Sequence, residues 1–353
     1  MSASPNHRLS VSVIIPAYNR ADFIGAAIDS VLDQTRMPQQ ILVIDDGSTD
    51  DTPEVLARYR APVTVIRQPN RGRSAARNAG LAAATGEAII FLDSDDLMMP
   101  ECIERCAAVL ERRPEVGVVY SDAYLCDQQA QPLALYSKAM PGPRPSGRVL
   151  RDLARRNFLT ITSMVRRSCL EGVEFEIGME HCEDYDFWRR IAVRCDFQYI
   201  DEPLMRYRFH EGMTVSSGLG PTLENEVEVQ RRIMVMPEFR LLTSRERARA
   251  YCIHGIKQAM LGSLEQARRY FRRSIATSPA YLPSYALLSA SLIGTRALQH
   301  VILKRRQLAG NRLGTQAGPV ALLNEPAPVR RAAAAAVVSY PIEVHSSQGA
   351  LHE

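Results

Sequence analysis

The sequence predicts an α/β fold, a mostly parallel sheet flanked by helices, followed by a smaller all-helical C-terminal region. Three observations predict it. Short apolar runs alternate with helical periodicity through the first third of the chain. Acidic or polar segments follow those runs. Strand signals then give way to helical ones after residue 218.

The first apolar run, residues 11–15, has the composition of a strand covered on both faces. Phe23, Ile24, Ala27, Ile28, Val31 and Leu32 then recur at helical spacing. Residues 41–44 form a second buried-strand run, and 52–59 a helix with Pro53 in its first turn. A third strand is expected at 63–66. The Ala-rich stretch 74–84 is helix-prone and is stopped by Gly86. Residues 88–92 read as a fourth strand. Pro100 opens a helix carrying Ile103, Ala107 and Leu110 on one face, and 116–120 reads as a fifth strand. This βαβαβαβαβ order calls for parallel strands with helices on both faces. The Pro-, Gly- and Ser-rich stretch 128–148 reads as a surface loop. A helix at 151–157, a strand at 160–165, a helix at 185–194 and a strand at 197–200 complete the α/β part.

Three segments follow: a main domain at 9–217, a helical region at 218–309, and a poorly ordered tail at 310–353. Within the helical region Tyr251, Gly255, Gly262, Ala267, Phe271 and Pro279 resemble the marker residues of one tetratricopeptide unit. A lone unit cannot bury its own face, so a helical hairpin packed on the main domain is an equal reading.

Composition excludes several classes. Hydrophobic residues make up 46% and charged residues 23%, an ordinary globular balance. A net charge of +4 makes no case for nucleic acid as a partner. No stretch reaches the roughly 18 uncharged apolar residues needed to cross a bilayer, and 285–294 comes nearest. Seven scattered cysteines fit reduced thiols and a cytoplasmic protein. Cys102 and Cys106 stand one helical turn apart without a second ligand pair, weak ground for zinc. Arg-rich stretches at 268–273 and 304–306 could touch anionic lipid at the inner face of the membrane, although solvated faces are commoner.

Ligands of an open parallel sheet bind beyond the carboxyl ends of its strands. Here those ends read Pro16-Ala17-Tyr18-Asn19, Asp45-Asp46-Gly47-Ser48, Asn70-Arg71-Gly72-Arg73, Asp93-Ser94-Asp95-Asp96 and Ser121-Asp122. In the fourth, carboxylates two residues apart point the same way off an extended backbone. Their repulsion is relieved by a hard divalent cation, Mg²⁺ or Mn²⁺, which leaves open positions for phosphate oxygens. An exposed acidic loop ahead of Pro100 is the plainer alternative, and only the company of the other strand ends outweighs it. Asp45 and Asp46 precede a turn glycine, where a side-chain acceptor could hold a base or a ribose. A dinucleotide fold would need G-x-G-x-x-G after the first strand, which is absent.

The ordered segments VSVIIPAYNR, VIDDGSTD, NRGRSAARNAG, FLDSDD and EDYDFWRRI resemble the family 2 glycosyltransferases of GT-A fold over residues 9–217. The resemblance implies transfer of a sugar from a UDP- or dTDP-type donor to a hydroxyl acceptor, glycan or lipid-linked, in the synthesis of cell-surface polysaccharide or another glycoconjugate. It places Pro16, Tyr18, Asn19 and Asp46 at the base and Arg77 beside the nucleotide. Asp95 would hold the metal, with Asp93 near ribose and metal. Asp184, beside Glu183 and ahead of Trp188 and Arg189, would be the catalytic base. His210, in Tyr207-Arg208-Phe209-His210, would close over diphosphate and metal. The chemistry agrees: a metal can offset charge on the departing diphosphate, and one carboxylate can take the acceptor's proton. One base plus one metal predicts single displacement with inversion. A hydrolase would need two carboxylates flanking the bond. Two rivals are a sugar nucleotidyltransferase, whose Gly-rich phosphate loop is missing, and a scaffold acting on a protein partner through the C-terminal helices around a vestigial site.

Overall fold

A computed structural model describes residues 8–140, 142–160, 162–179, 181–210, 219–298 and 300–302. Nine strands form one sheet: β1 (Val11–Ala17), β2 (Gln40–Asp45), β3 (Val63–Arg67), β4 (Ala88–Phe91), β5 (Leu97–Met98), β6 (Val116–Cys126), β7 (Pro132–Leu135), β8 (Met164–Arg166) and β9 (Asp196–Arg208). Their order is β3-β2-β1-β4-β8-β6-β9-β5, with β7 on β6. β1 through β4 pair in parallel. β8 lies antiparallel between β4 and β6, so β6 still runs in the direction of β4, and β9 runs parallel to β6. All five strands expected in the first third therefore point the same way, and their carboxyl ends share one edge.

The helices of this part are α1 (Ala21–Leu32), α2 (Thr52–Leu56), α3 (Arg73–Ala83), α4 (Cys102–Arg112), α5 (Tyr136–Ala139), α6 (Leu150–Leu153) and α7 (Glu183–Ile191). Alternation along each strand divides the core into two layers. Val13, Ile15, Val43 and Ile90 pack with Ile24 and Ile28 of α1 and Ile103 and Leu110 of α4. Ile14, Leu42, Ile89 and Phe91 pack with Ala76 of α3 and Phe187, Trp188 and Ile191 of α7. Contact between α3 and β1 is close enough that a Cβ on Gly80 would stand 2.3 Å from Ile14 Cγ2.

The C-terminal helices are α8 (Leu219–Val235), α9 (Ser244–Met260), α10 (Leu264–Thr277) and α11 (Pro283–Ile293). Val229 and Ile233 of α8 and Tyr251 of α9 belong to the same core layer as Trp188. Cys252, Ile256, Ala267, Phe271 and Leu287 form a separate layer among α9, α10 and α11. Thr243 starts α9 with a reciprocal cap: Glu246 N donates to Thr243 Oγ1 at 3.2 Å, and Thr243 N to Glu246 Oε2 at 2.9 Å. Gly255 lets α10 approach, since a Cβ there would lie 2.7 Å from the Phe271 ring. Among the described residues no helix is long and apolar enough to cross a membrane. The tail at 310–353 and the basic stretch at 304–306 lie outside the described residues.

Several elements differ from expectation. The loop at 128–148 contains β7 and α5, and the strand expected at 160–165 is confined to Met164–Arg166. β9 is 13 residues long. β6 does not end at Ser121-Asp122 but continues to Cys126, with register shifts on either side of Asp122. Asp122 is buried, and its carboxylate accepts from Ser137 N (2.9 Å) and Ser137 Oγ (2.6 Å). The fifth acidic strand end is thus a clamp on α5. Cys102 and Cys106 are both buried free thiols on α4.

Candidate active site

The loops after β1, β2 and β3 are tied to one another before any ligand is considered. Asn19 adopts φ 52°, a left-handed turn that asparagine tolerates. Its N–H donates to Ser48 Oγ (3.0 Å), and its Oδ1 accepts from Thr49 N (2.8 Å). Pro16 pairs in register with Ile44, and Tyr18 beyond it is 43% exposed. Asp45 caps its own turn by accepting from Ser48 N at 2.9 Å. Asp46 is buried at the end of β2 and accepts from Gln68 Nε2 (2.7 Å), Arg71 N (3.1 Å) and Gly72 N (2.8 Å). Gly47 is required between these loops: it has φ 77°, and a Cβ would meet Asn70 N at 2.7 Å.

Beyond β4, Asp93, Asp95 and Asp96 bring one oxygen each within 4.8 Å of the others. The two-residue β5 explains how the far end of the chain reaches them. Leu97 and Met98 pair with Arg206 and Met205, which carries the end of β9 over the cluster. Arg208 N then donates to Asp96 Oδ1 at 2.9 Å. His210 Nε2 lies 3.0 Å from Asp95 Oδ2, with its ring stacked on Phe23 at 4.4 Å. Arg20 Nε is 3.4 Å from the same oxygen. Burial works against the charge on Asp95, but the His210 hydrogen bond and Arg20 outweigh it, so its carboxyl sits below the usual range. Asp96 is pushed well above that range by burial and by the charges of Asp95 and Asp93. A divalent cation fits this donor set. Hard carboxylate oxygens converge, their repulsion is incompletely offset, and an imidazole stands at the rim.

α3 and α7 build the other half. Arg77, buried on α3, donates through one terminal nitrogen to Asp93 Oδ1 and through the other to Glu183 Oε1, both at 2.7 Å. Burial works against its charge, but the two carboxylates more than compensate and raise its pKa. Cys182, in a left-handed conformation at φ 61°, turns the chain into α7. Asp184 follows in the first turn, where its Oδ1 accepts from Tyr185 N (2.7 Å) and its Oδ2 from Asn157 Nδ2 (3.1 Å). Burial first, and the charge of Glu183 second, push the Asp184 carboxyl up to about 7, with Arg77 opposing. A group poised there suits proton abstraction at neutral pH. The helix is held from behind by Asp186, fully buried and paired with Arg189 (2.6 Å), Arg190 (2.9 Å) and Arg232 of α8 (3.1 Å).

Asp93, Asp95, His210, Arg77, Glu183 and Asp184 are therefore linked by short contacts along one edge of the sheet. Asp46 joins at the start of α3: Gly72, which it holds, precedes Arg73, whose guanidinium is 3.8 Å from Glu183. Glu183 is committed to Arg77, and Asp46 spends three of its about four acceptor sites on the 68–72 loop, leaving one on Oδ2. Arg20, Asp96, Asn157 and Arg208 carry contacts that sequence reasoning left unassigned. Arg20 and Arg208 do sit inside motifs quoted for other residues. Asn157 carries no local signal.

A mixed sheet of this order, with an acidic cluster beyond β4 and a carboxylate-led helix facing it, defines a GT-A fold. Solved structures share it. The crystal structure of S. aureus TarS 1-349 matches with TM-score 0.58 and 18% identity over 88% of this chain and 93% of that one. TarS 1-349 in complex with UDP-GlcNAc gives 0.61 and 19%, over 85% and 92%. Mannosyltransferase PcManGT from Pyrobaculum calidifontis in complex with GDP-Man and Mn²⁺ gives 0.52 and 20%, over 86% and 88%. The family is fixed by sequence. The Glycosyl transferase family 2 model matches residues 12–171. The uncharacterized glycosyltransferase RT0329 of Rickettsia typhi is 31% identical over 226 residues, 61% of this chain and 69% of its own. The uncharacterized glycosyltransferase alr2836 of Nostoc is 42% identical over 116 residues, 32% of this chain, and the match spans about a third of that protein (36%). The chain belongs to glycosyltransferase family 2.

Proposed function

We propose that the protein transfers a sugar, with inversion, from a UDP- or dTDP-type nucleotide sugar to a hydroxyl acceptor on a glycan or lipid-linked carrier in cell-surface polysaccharide or glycoconjugate synthesis. The observation that carries this reading is Arg77. By joining Asp93 to Glu183 at 2.7 Å each, it couples the acidic cluster to the helix that bears Asp184. The UDP-GlcNAc and GDP-Man complexes of the structural neighbours support a nucleotide-sugar donor. Pro16, Tyr18, Asn19 and Asp46 form the base end, Tyr18 offering an exposed aromatic side chain. Mn²⁺ or Mg²⁺ would be held by Asp95 and Asp93 with His210 at its side, and when bound it offsets negative charge on the departing diphosphate. Asp184 accepts the acceptor's proton, and Asn157 fixes the orientation of its carboxylate. Glu183 keeps the Asp184 carboxyl basic and is itself restrained by Arg77. The α9–α10 hairpin, with Gly255 seating Phe271, is proposed as a single tetratricopeptide-like unit.

The test is a screen of nucleotide sugars with and without Mn²⁺, with products resolved by chromatography. Release of free nucleoside diphosphate that depends on the metal is expected. Release of pyrophosphate would favour the nucleotidyltransferase reading. No metal-dependent heat with UDP in calorimetry would favour a scaffold with a vestigial site.

A further inference from the structure

A second cleft lies among the C-terminal helices, between the end of α8, the 3-10 turn Pro237–Leu241, α9 and α10. Its volume is about 440 Å³, within the roughly 300–1,000 Å³ of small-ligand sites. None of the lining residues belongs to the acidic edge described above. The lining divides in two. Met234, Phe239 and Tyr251 are buried and form an apolar floor. Arg240, Arg247 and Arg273 supply three guanidinium groups, and the lining contains no carboxylate.

Among the described residues these arginines are not spent on acids. Arg247 donates to the carbonyls of Arg240 (2.7 Å) and Leu242 (2.5 Å) and to Ser244 Oγ (3.4 Å), which fixes its planar head, and among the described residues it has no salt-bridge partner. Arg273 lies over the Tyr251 ring, with its Cζ 4.5 Å from the centroid, a contact that orients the group without neutralising it. Among the described residues neither Arg240 nor Arg273 has a salt-bridge partner. Guanidinium forks bind phosphate and carboxylate oxygens alike in bidentate geometry, and the tetrahedral oxygens of a phosphate can meet three guanidiniums where a planar carboxylate offers two oxygens. The rim is apolar and exposed: Val235, which lines the cleft, is 69% accessible, and Leu241, next to Arg240, is 84% accessible. Water-facing aliphatic side chains beside guanidiniums that have no acidic partner among the described residues match a ligand with a phosphate head and an apolar body.

We propose that this cleft binds a phosphate group carried on an apolar chain, as a site separate from the donor site and independent of the donor reading. The phosphate lies between Arg240, Arg247 and Arg273, and the chain runs past Val235 and Leu241. The same chemistry is offered by an anionic phospholipid in a bilayer and by a soluble phosphorylated amphiphile.

The full chain is tested for co-sedimentation with phosphatidylcholine vesicles with and without phosphatidylglycerol. Calorimetry with dihexanoyl phosphatidic acid and with inorganic phosphate gives the soluble arm. The double variant R240A/R273A tests the cleft, and R269A/R272A, two exposed arginines outside the lining, controls for the same loss of net charge. Binding that needs phosphatidylglycerol, weakens with salt, and falls roughly tenfold or more in R240A/R273A but not in R269A/R272A supports the proposal and assigns a bilayer source. The same variant pattern with dihexanoyl phosphatidic acid alone supports it with a soluble source. Inorganic phosphate binding as tightly as the amphiphile overturns the apolar half. Equal binding by R240A/R273A, equal loss in R269A/R272A, or no binding to any probe overturns the whole. Unchanged thermal midpoints and donor hydrolysis in the variants exclude unfolding as the cause.

Discussion

His210 Nε2 stands 3.0 Å from Asp95 Oδ2, although 115 positions separate the two residues in the chain. The contact exists because β5 pairs with β9 and delivers the end of that strand to the acidic cluster. If Asp95 and His210 share a cation, both substitutions should act on metal dependence. Asp95→Ala is expected to abolish donor turnover and metal-dependent UDP binding. His210→Ala should raise the Mn²⁺ concentration for half-maximal turnover by about ten- to a hundredfold. Metal titrations of donor hydrolysis measure this, and a wild-type titration curve for Asp95→Ala would remove it from the site.

Asp184→Asn keeps the shape of the group but removes the proposed base, and its one amide oxygen can accept from Tyr185 N or from Asn157 Nδ2, not both. Donor affinity by calorimetry should be unchanged, while transfer falls by roughly two to four orders of magnitude. Weakened donor binding with intact turnover would count against the assignment. The same variant should be more stable than wild type at alkaline pH. Burial and Glu183 raise the carboxyl from 3.8 to about 7 on folding, so the folded protein binds this proton more tightly than the unfolded chain. The resulting penalty is absent at low pH and grows as pH rises from 3.8 to about 7, above which it is complete. Replacement by the neutral amide should therefore raise the thermal midpoint at pH about 8 and change it little at pH about 4.

The pH dependence of turnover follows from the same group with its own sign. A base works only when ionised, so kcat should fall about tenfold per unit below pH about 7. Glu183→Gln removes the neighbouring charge that helps hold the carboxyl up, and leaves the opposing charge of Arg77. The acid limb should then move to lower pH. A limb that stays in place would assign it to a different group.

Much of this arrangement was legible in the sequence, because burial on both faces leaves an unambiguous mark. The runs at 11–15, 41–44 and 88–92 are apolar at nearly every position, and each is followed by the polar residues that reach the edge. What escaped lacks such a mark. Leu97–Met98 is too short to show a period, yet it decides where His210 goes. The end of β9, DEPLMRYR, contains Pro203 and alternates poorly because it pairs across the register shifts of β6. Asp122 looks like another acidic strand end, and only its bonds to Ser137 reveal a clamp. In NRGRSAARNAG the letters do not say which arginine turns inward. Packing of Ala76 and Gly80 against the sheet buries Arg77 and leaves Arg73 more exposed.

Arg77→Met tests whether the bridge is structural, catalytic or both. Methionine fills much of the volume but leaves the buried Glu183 without its 2.7 Å partner and Asp93 without its anchor. Removing one member of a buried ion pair costs about 3–5 kcal/mol, which should appear as a lower urea midpoint. The loss of an opposing positive charge should also push the Asp184 acid limb upward, opposite to the shift in Glu183→Gln. Opposite shifts in these two variants would tie the limb to Asp184. Equal shifts would point to general loosening of the site.

Gly80 gives a prediction whose sign depends on packing. Alanine for glycine within a helix ordinarily stabilises by about 1 kcal/mol. At Gly80 the added methyl would sit 2.3 Å from Cγ2 of Ile14, a fully buried residue of β1 between α3 and the sheet. Neither partner can swing away, because Ile14 is β-branched and walled in by Leu42 and Phe91. Overpacking of this kind costs about 1–3 kcal/mol and should exceed the helix gain. Gly80→Ala is therefore expected to lower the midpoint of urea unfolding. Because α3 also carries Arg77, the displacement should reach the active site and lower kcat. Ile14→Ala removes the Cγ2 methyl that the new Cβ would meet, so in that background Gly80→Ala should cost less stability and less kcat than it does in the wild type. Recovery of stability without recovery of kcat would separate the packing of α3 from the placement of Arg77.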